Sequence, residues 1–166
     1  GSIGTDNTTQ LSALGNMFLH NGDIVSNAFV LCPQSPEWWN LDRTSQNDNN
    51  GTLSSAFRLL NNITENYSCD KNRIYVIGVS MGGFATWSLL QRHGDFFAAG
   101  VPVCGGGDSS NGAAYVDIPI RIYHGTKDPT VAFSRSEEMY NAIIKAGGKK
   151  IDFVRLEGYD HNIWSY

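Results

Sequence analysis

Apolar residues recur along this chain in two rhythms. Short continuous runs at 28–32, 73–79, 98–104, 118–123 and 150–156 have the length and β-branched content of buried strands. Between them the spacing changes to that of helices. Leu53, Ala56, Phe57, Leu60 and Ile63 fall on one face of a helix between the first two runs. Residues 84–91 form a largely apolar helix that His93 and Gly94 can stop. Ser134 and Glu137 predict a capping box, opening a helix whose buried stripe is Met139, Tyr140, Ile143 and Ile144 and whose end is Gly147. A weaker helical pattern covers 8–18, and the polar stretch 41–51 predicts an exposed loop. Strand runs alternating with helical segments predict an α/β fold, a mostly parallel sheet with helices on both faces.

Composition narrows the field of partners. With 166 residues, 41% of them hydrophobic, the chain can bury one core, and residues 1–166 read as a single domain. A formal charge of -4 and only 12 Lys and Arg, without a basic cluster, argue against nucleic acid or an acidic membrane as partner. A neutral or mildly polar small molecule fits better. No stretch is long and apolar enough to span a bilayer and no targeting signal is present, so a cytoplasmic and a secreted location both stay open. Cys32, Cys69 and Cys104 are odd in number and lack metal-ligand or redox spacing; Cys32 and Cys104 read as small core residues, and Cys69 has the option of pairing with either. No metal or cofactor is implied.

The second run carries the chemistry. It ends in Gly78-Val79-Ser80-Met81-Gly82-Gly83 and leads straight into a helical segment, the arrangement of a nucleophile elbow. A serine at the tip of such a turn has strained backbone angles, and Gly78 and Gly82 are expected to let strand and helix approach. The Ser80 hydroxyl then stands clear of the backbone. The Met81 amide lies at a helix N-terminus, where it can donate to a developing oxyanion.

A serine hydroxyl needs a base, and the base needs a group to orient it. In a parallel sheet the strand C-termini open on one edge, so partners should follow later strands. Asp128 follows the fourth run and His161 the fifth, giving the chain order Ser, Asp, His expected of an α/β-hydrolase. His20, His93 and His124 are rivals for the base, with His124 expected to hydrogen-bond locally and shape its turn. Asp108 and Asp160 are rivals for the acid, Asp160 disfavoured because it adjoins the histidine.

With these residues in place the chain resembles the α/β-hydrolase serine esterases, in the branch of polyhydroxybutyrate depolymerases, feruloyl esterases, dienelactone hydrolases and the catalytic domain of prolyl oligopeptidases. The resemblance rests on the segment from Asp70 through Ser80 to Gly83, on Val101-Pro102-Val103-Cys104-Gly105-Gly106-Gly107-Asp108, on His124-Gly125-Thr126-Lys127-Asp128 and on Gly158-Tyr159-Asp160-His161-Asn162-Ile163-Trp164. It implies a catalytic triad of Ser80, Asp128 and His161. Members of that branch also carry, ahead of the segment resembling Gly4-Thr5-Asp6-Asn7, a strand ending in His-Gly-Xaa-Gly that gives a second oxyanion donor. The resemblance therefore implies that these residues lack N-terminal strands and are a fragment of a longer native chain.

Aromatic residues near the expected active edge point to the substrate. Trp38 and Trp39 follow the first run, and Trp164 lies just past His161; each can wall an acyl or alcohol pocket, and the tryptophan pair can equally plug the sheet end. No long insertion separates the third and fourth runs, so a large lid is not expected. An open site suits short-chain or aryl esters, or esters on a polysaccharide, hydrolysed through an acyl-enzyme. A prolyl oligopeptidase-like peptidase and a non-catalytic binding or scaffold protein on the same fold are the alternatives.

Overall fold

Four strands, β1 (Tyr75–Val79), β2 (Ala99–Val103), β3 (Ile120–Gly125) and β4 (Ile151–Leu156), lie in the order β1-β2-β3-β4 with every neighbouring pair parallel. They come from a computed structural model that describes residues 3–12, 18, 20–39 and 51–165. Because all four strands run the same way, their C-terminal ends share one edge of the sheet, and the loops that follow β1, β3 and β4 open there. Consecutive strands need a crossover. Helix α3 (Met81–His93) joins β1 to β2, a 3-10 segment (Ser109–Tyr115) precedes β3, and α4 (Ser134–Lys145) joins β3 to β4.

The run 28–32 is not a strand. An apolar run becomes one only where its amides and carbonyls find a ladder, and β1 is the edge of the sheet among the described residues. The segment takes other partners instead: the Ala28 amide donates to the Ile24 carbonyl, closing the short helix α1 (Gly22–Asn27), and the Cys32 carbonyl accepts from Gln10 Nε2 at 3.1 Å. Phe29 is left exposed. The predicted helix over 8–18 is represented by a 3-10 turn at Thr9–Ser12, with 13–17 outside the described residues, as are 41–50 of the predicted loop.

Helix α2 (Thr52–Asn66) turns Leu53 and Thr64 fully inward, with Ala56, Phe57, Leu60 and Ile63 half-buried beside them. The capping box at Ser134 does not form. Phe133 stands at the N-cap with helical angles and no side-chain cap, because the turn before α4 is already wound: the Arg135 amide donates to Ala132 and the Ser136 amide to Phe133. Gly147, at φ +97, ends that helix as expected, and within the stripe Met139 and Ile143 are buried while Ile144 points to solvent.

Two cores result. The larger joins Trp87 and Leu90 of α3, Met139 and Ile143 of α4, and Ile120, Ile122 and Phe153 of the sheet. A smaller one, of Val79, Val103, Cys104 and Ile163, lies at the strand C-termini and backs the site. All three cysteines are free thiols.

Candidate active site

Ser80 sits between β1 and α3 at φ 54 and ψ -116, a conformation that side-chain-bearing residues rarely adopt. Its amide donates to the Val103 carbonyl at 2.9 Å and its carbonyl accepts from the Phe84 amide at 3.1 Å, so both flanks of the turn are tied down. Close approach explains the glycines unequally. A Cβ on Gly78 would lie 2.1 Å from the Gly82 carbonyl oxygen, whereas a Cβ on Gly82 would meet nothing within 4 Å. The expectation that Gly82 must be small for its own sake is thus corrected. Gly83 is the second constrained position, because a Cβ there would stand 2.6 Å from the Val103 carbonyl and wedge α3 off β2.

Asp128 lies in the loop after β3 with its side chain fully buried. Its Oδ1 accepts from the Thr130 and Val131 amides at 2.8 and 2.9 Å, which fixes the carboxylate plane and turns Oδ2 toward His161 Nδ1, 2.6 Å away. Facing a carboxylate, Nδ1 carries the hydrogen, so the neutral ring leaves Nε2 bare. Nε2 lies 2.8 Å from Ser80 Oγ and accepts the hydroxyl proton. Burial pushes the Asp128 carboxyl up, but the hydrogen bonds from His161, Val131 and Thr130, with the His161 charge, outweigh it and hold the group below the ordinary carboxylate range.

The loop carrying His161 follows β4. Its backbone oxygen lies 3.5 Å from Cys104 Sγ, and the edge of Trp164 meets its ring at 5.2 Å between centroids. The Met81 amide opens α3, where the first N–H groups have no intrahelical partner. The structure thus brings together Ser80, Met81, Asp128, His161 and Trp164. Trp38 is exposed, and Trp39 lines a separate cleft of about 270 Å³ with Pro33, Gln34 and Pro36.

Apart from His124, the rivals lie away from the site or bond within their own segments. His20 is exposed, and His93 stacks on Phe57 at 3.6 Å between centroids, with burial and then Arg92 pushing its ring below the ordinary histidine range. Asp108 caps the 3-10 segment through Ser110, and Asp160 accepts from the Asn162 amide within its own loop.

Two residues in the site were not assigned to it from the sequence. Cys104, at φ 46, is fully buried, and burial pushes its thiol up to about 12. His124 is the other: its Nε2 lies 3.2 Å from Asp128 Oδ2. A strand-period signal marks it, since Ile120, Ile122 and His124 are successive inward positions of β3. Ligand atoms of Cys104, His124 and Asp128 fall within 4.8 Å of one another, the one such group among the described residues. A protonated thiol and an imidazole nitrogen already facing two oxygen acceptors make it a poor metal site.

Taken together, an acid-oriented imidazole aligned on a strained serine at a helix N-terminus can move a proton as the hydroxyl attacks an electrophilic carbonyl. Comparison with known proteins points the same way. The sequence pattern of the phospholipase/carboxylesterase family matches residues 30–166. Poly(3-hydroxyalkanoate) depolymerase C of Paucimonas lemoignei is 28% identical over 118 residues, covering 53% of this chain and 28% of the depolymerase. A bifunctional acetylxylan esterase/xylanase of Neocallimastix patriciarum is 28% identical over 80 residues, covering 48% of this chain and 12% of that protein. The crystal structure of a thermostable esterase superposes with a TM-score of 0.81 at 31% identity, covering 98% of this chain and 47% of the esterase. The chain therefore spans less than half the length of each of these relatives.

Proposed function

The chain belongs to the phospholipase/carboxylesterase family of α/β-hydrolases, and from that premise we propose that it is a serine carboxylesterase acting on short-chain, aryl or carbohydrate-linked esters through an acyl-enzyme. The observation that carries this reading is the unbroken line from Asp128 Oδ2 through His161 to Ser80 Oγ, with steps of 2.6 and 2.8 Å. Ser80 Oγ attacks the ester carbonyl as His161 Nε2 takes its proton. Asp128 holds the ring and balances the imidazolium, and the Met81 amide receives the tetrahedral oxyanion. His161 then hands the proton to the leaving alcohol, and a water deprotonated by the same nitrogen releases the acid. Trp164, whose ring meets that of His161 edge-on, is the residue this reading assigns to the wall of the substrate site. Carbohydrate-linked esters are supported by the likeness to an acetylxylan esterase, with this chain covering a small part of that protein.

The test compares the protein with Ser80→Ala using a fluorophosphonate probe and p-nitrophenyl acetate. Labelling and hydrolysis that vanish with Ser80 are expected. A folded protein that neither labels nor hydrolyses would overturn the esterase reading in favour of a non-catalytic scaffold, and hydrolysis of peptide amides in preference to esters would favour a peptidase.

A further inference from the structure

A histidine stands where β3 would otherwise present a third inward aliphatic side chain, and nothing in the reaction just described uses it. His124 is fully buried. Its Nε2 lies 3.0 Å from the Val131 carbonyl and 3.2 Å from Asp128 Oδ2, and both of these are acceptors. A bare nitrogen would set lone pair against lone pair in a site without solvent, so Nε2 carries a hydrogen.

The other ring nitrogen explains how that tautomer is held. Nδ1 is 2.7 Å from Ser136 Oγ, a buried hydroxyl that also lies 3.0 Å from the Gly105 carbonyl. The hydroxyl has one hydrogen, and with a neutral ring it goes to Nδ1. The ionisable groups facing the ring are Asp128, His161 and the Cys104 thiol, while Phe133 meets it edge-on at 5.6 Å between centroids. Burial outweighs the Val131 carbonyl and Asp128 and keeps the ring below the ordinary histidine range, so Asp128 meets a neutral imidazole near neutral pH.

Asp128 Oδ2 therefore stands between two imidazoles. Resting on the reading of Ser80, Asp128 and His161 as the reacting groups, we propose that His124 is a positioning residue: its Nε2–H, locked by Ser136 and hydrogen-bonded to the Val131 carbonyl, sets its positive edge 3.2 Å from Asp128 Oδ2 and limits how strongly that oxygen draws the His161 proton. An oxygen that also faces the positive edge of a second N–H dipole offers less charge to the first. Without the His124 donor, Oδ2 binds the His161 proton harder, His161 stays protonated to higher pH, and the base is lost sooner as pH falls.

The pH profile reads this directly. In His124→Asn the acid limb of kcat/KM for p-nitrophenyl acetate is expected to move to higher pH by about half a unit. In His124→Gln, whose longer side chain brings an amide N–H near the place of Nε2, the limb should return toward wild type. An unmoved limb beneath a lowered plateau would leave His124 a packing residue and overturn the proposal. Nitrogen NMR of the unaltered protein with labelled histidine decides the point even where a variant fails to fold. His124 protonated at Nε2 and bare at Nδ1 near neutral pH is expected; the opposite tautomer overturns it. Hydrolysis that survives Ser80→Ala would instead sink the reading of Ser80 as the nucleophile, with the tautomer still decided by NMR.

Discussion

A methyl group on Gly78 would stand 2.1 Å from the carbonyl oxygen of Gly82, so β1 and α3 meet at the elbow with no room for a side chain on the strand side. Since the obstacle is backbone, relief requires the strand or the helix to move, and Ser80 moves with either. Gly78→Ala is expected to cost roughly 1–3 kcal/mol in unfolding free energy, as overpacked sites do, and to lose most fluorophosphonate labelling. Gly82→Ala adds its carbon to open space on a helix and should keep both. Urea unfolding and labelling of the two variants check the contrast; equal damage would contradict the packing described.

Strain at Ser80 should be visible as stability. Its backbone angles, φ 54 and ψ -116, suit glycine and tax every other residue. Ser80→Ala keeps that strain, while Ser80→Gly releases it. Allowing for the greater freedom glycine gains on unfolding, the glycine variant is expected to exceed the alanine variant by about 1 kcal/mol. Neither should hydrolyse ester. Urea denaturation of the inactive pair isolates the backbone term; an alanine variant as stable as the glycine variant would mean the turn is relaxed.

What was legible in the sequence follows the range of the forces involved. Tyr75–Val79 and Met81–His93 were readable because a buried strand and the helix after it imprint their periods on adjacent residues. The run 28–32 has the same local signature, yet whether it pairs depends on a neighbouring strand, which no local pattern encodes. At Ser134 the cap signal was overridden by backbone hydrogen bonds from the Arg135 and Ser136 amides to the Ala132 and Phe133 carbonyls. Ser80, Asp128 and His161 could be singled out because a parallel sheet puts strand C-termini on one edge, a rule of topology. His124 could be placed beside Asp128 but not given its partners, since Ser136, itself bonded to the Gly105 carbonyl, reaches it from another element.

The three thiols should differ in reactivity. Cys69 and Cys32 are partly exposed, and partial burial pushes the Cys32 thiol up, whereas Cys104 is sealed behind the His161 loop with its thiol pushed up to about 12 by burial. Reactivity follows the thiolate and its access. Iodoacetamide on the native protein is expected to modify Cys69 first, Cys32 more slowly and Cys104 only after unfolding. Peptide mass spectrometry over a time course reads the order; early modification of Cys104 would show that the loop opens readily.

Asp128→Asn separates two roles of one carboxylate. An amide in its place can offer an N–H to His161 Nδ1, which moves the ring hydrogen to Nε2 and leaves no acceptor for Ser80. Turnover of p-nitrophenyl acetate is expected to fall on the order of 10⁴-fold, with the fold intact. Stability should report the charge as well. Burial is outweighed by hydrogen bonds from His161, Val131 and Thr130, so the folded carboxyl titrates below the unfolded one. Its contribution is then fully present above the unfolded value of about 3.9 and is lost as pH falls through the folded value. Wild type should exceed Asp128→Asn in unfolding free energy near neutral pH, and the gap should narrow below about pH 4. Urea unfolding of both proteins across that range checks the sign; a gap that stays constant into strong acid would mean the carboxylate is not held ionised by its partners.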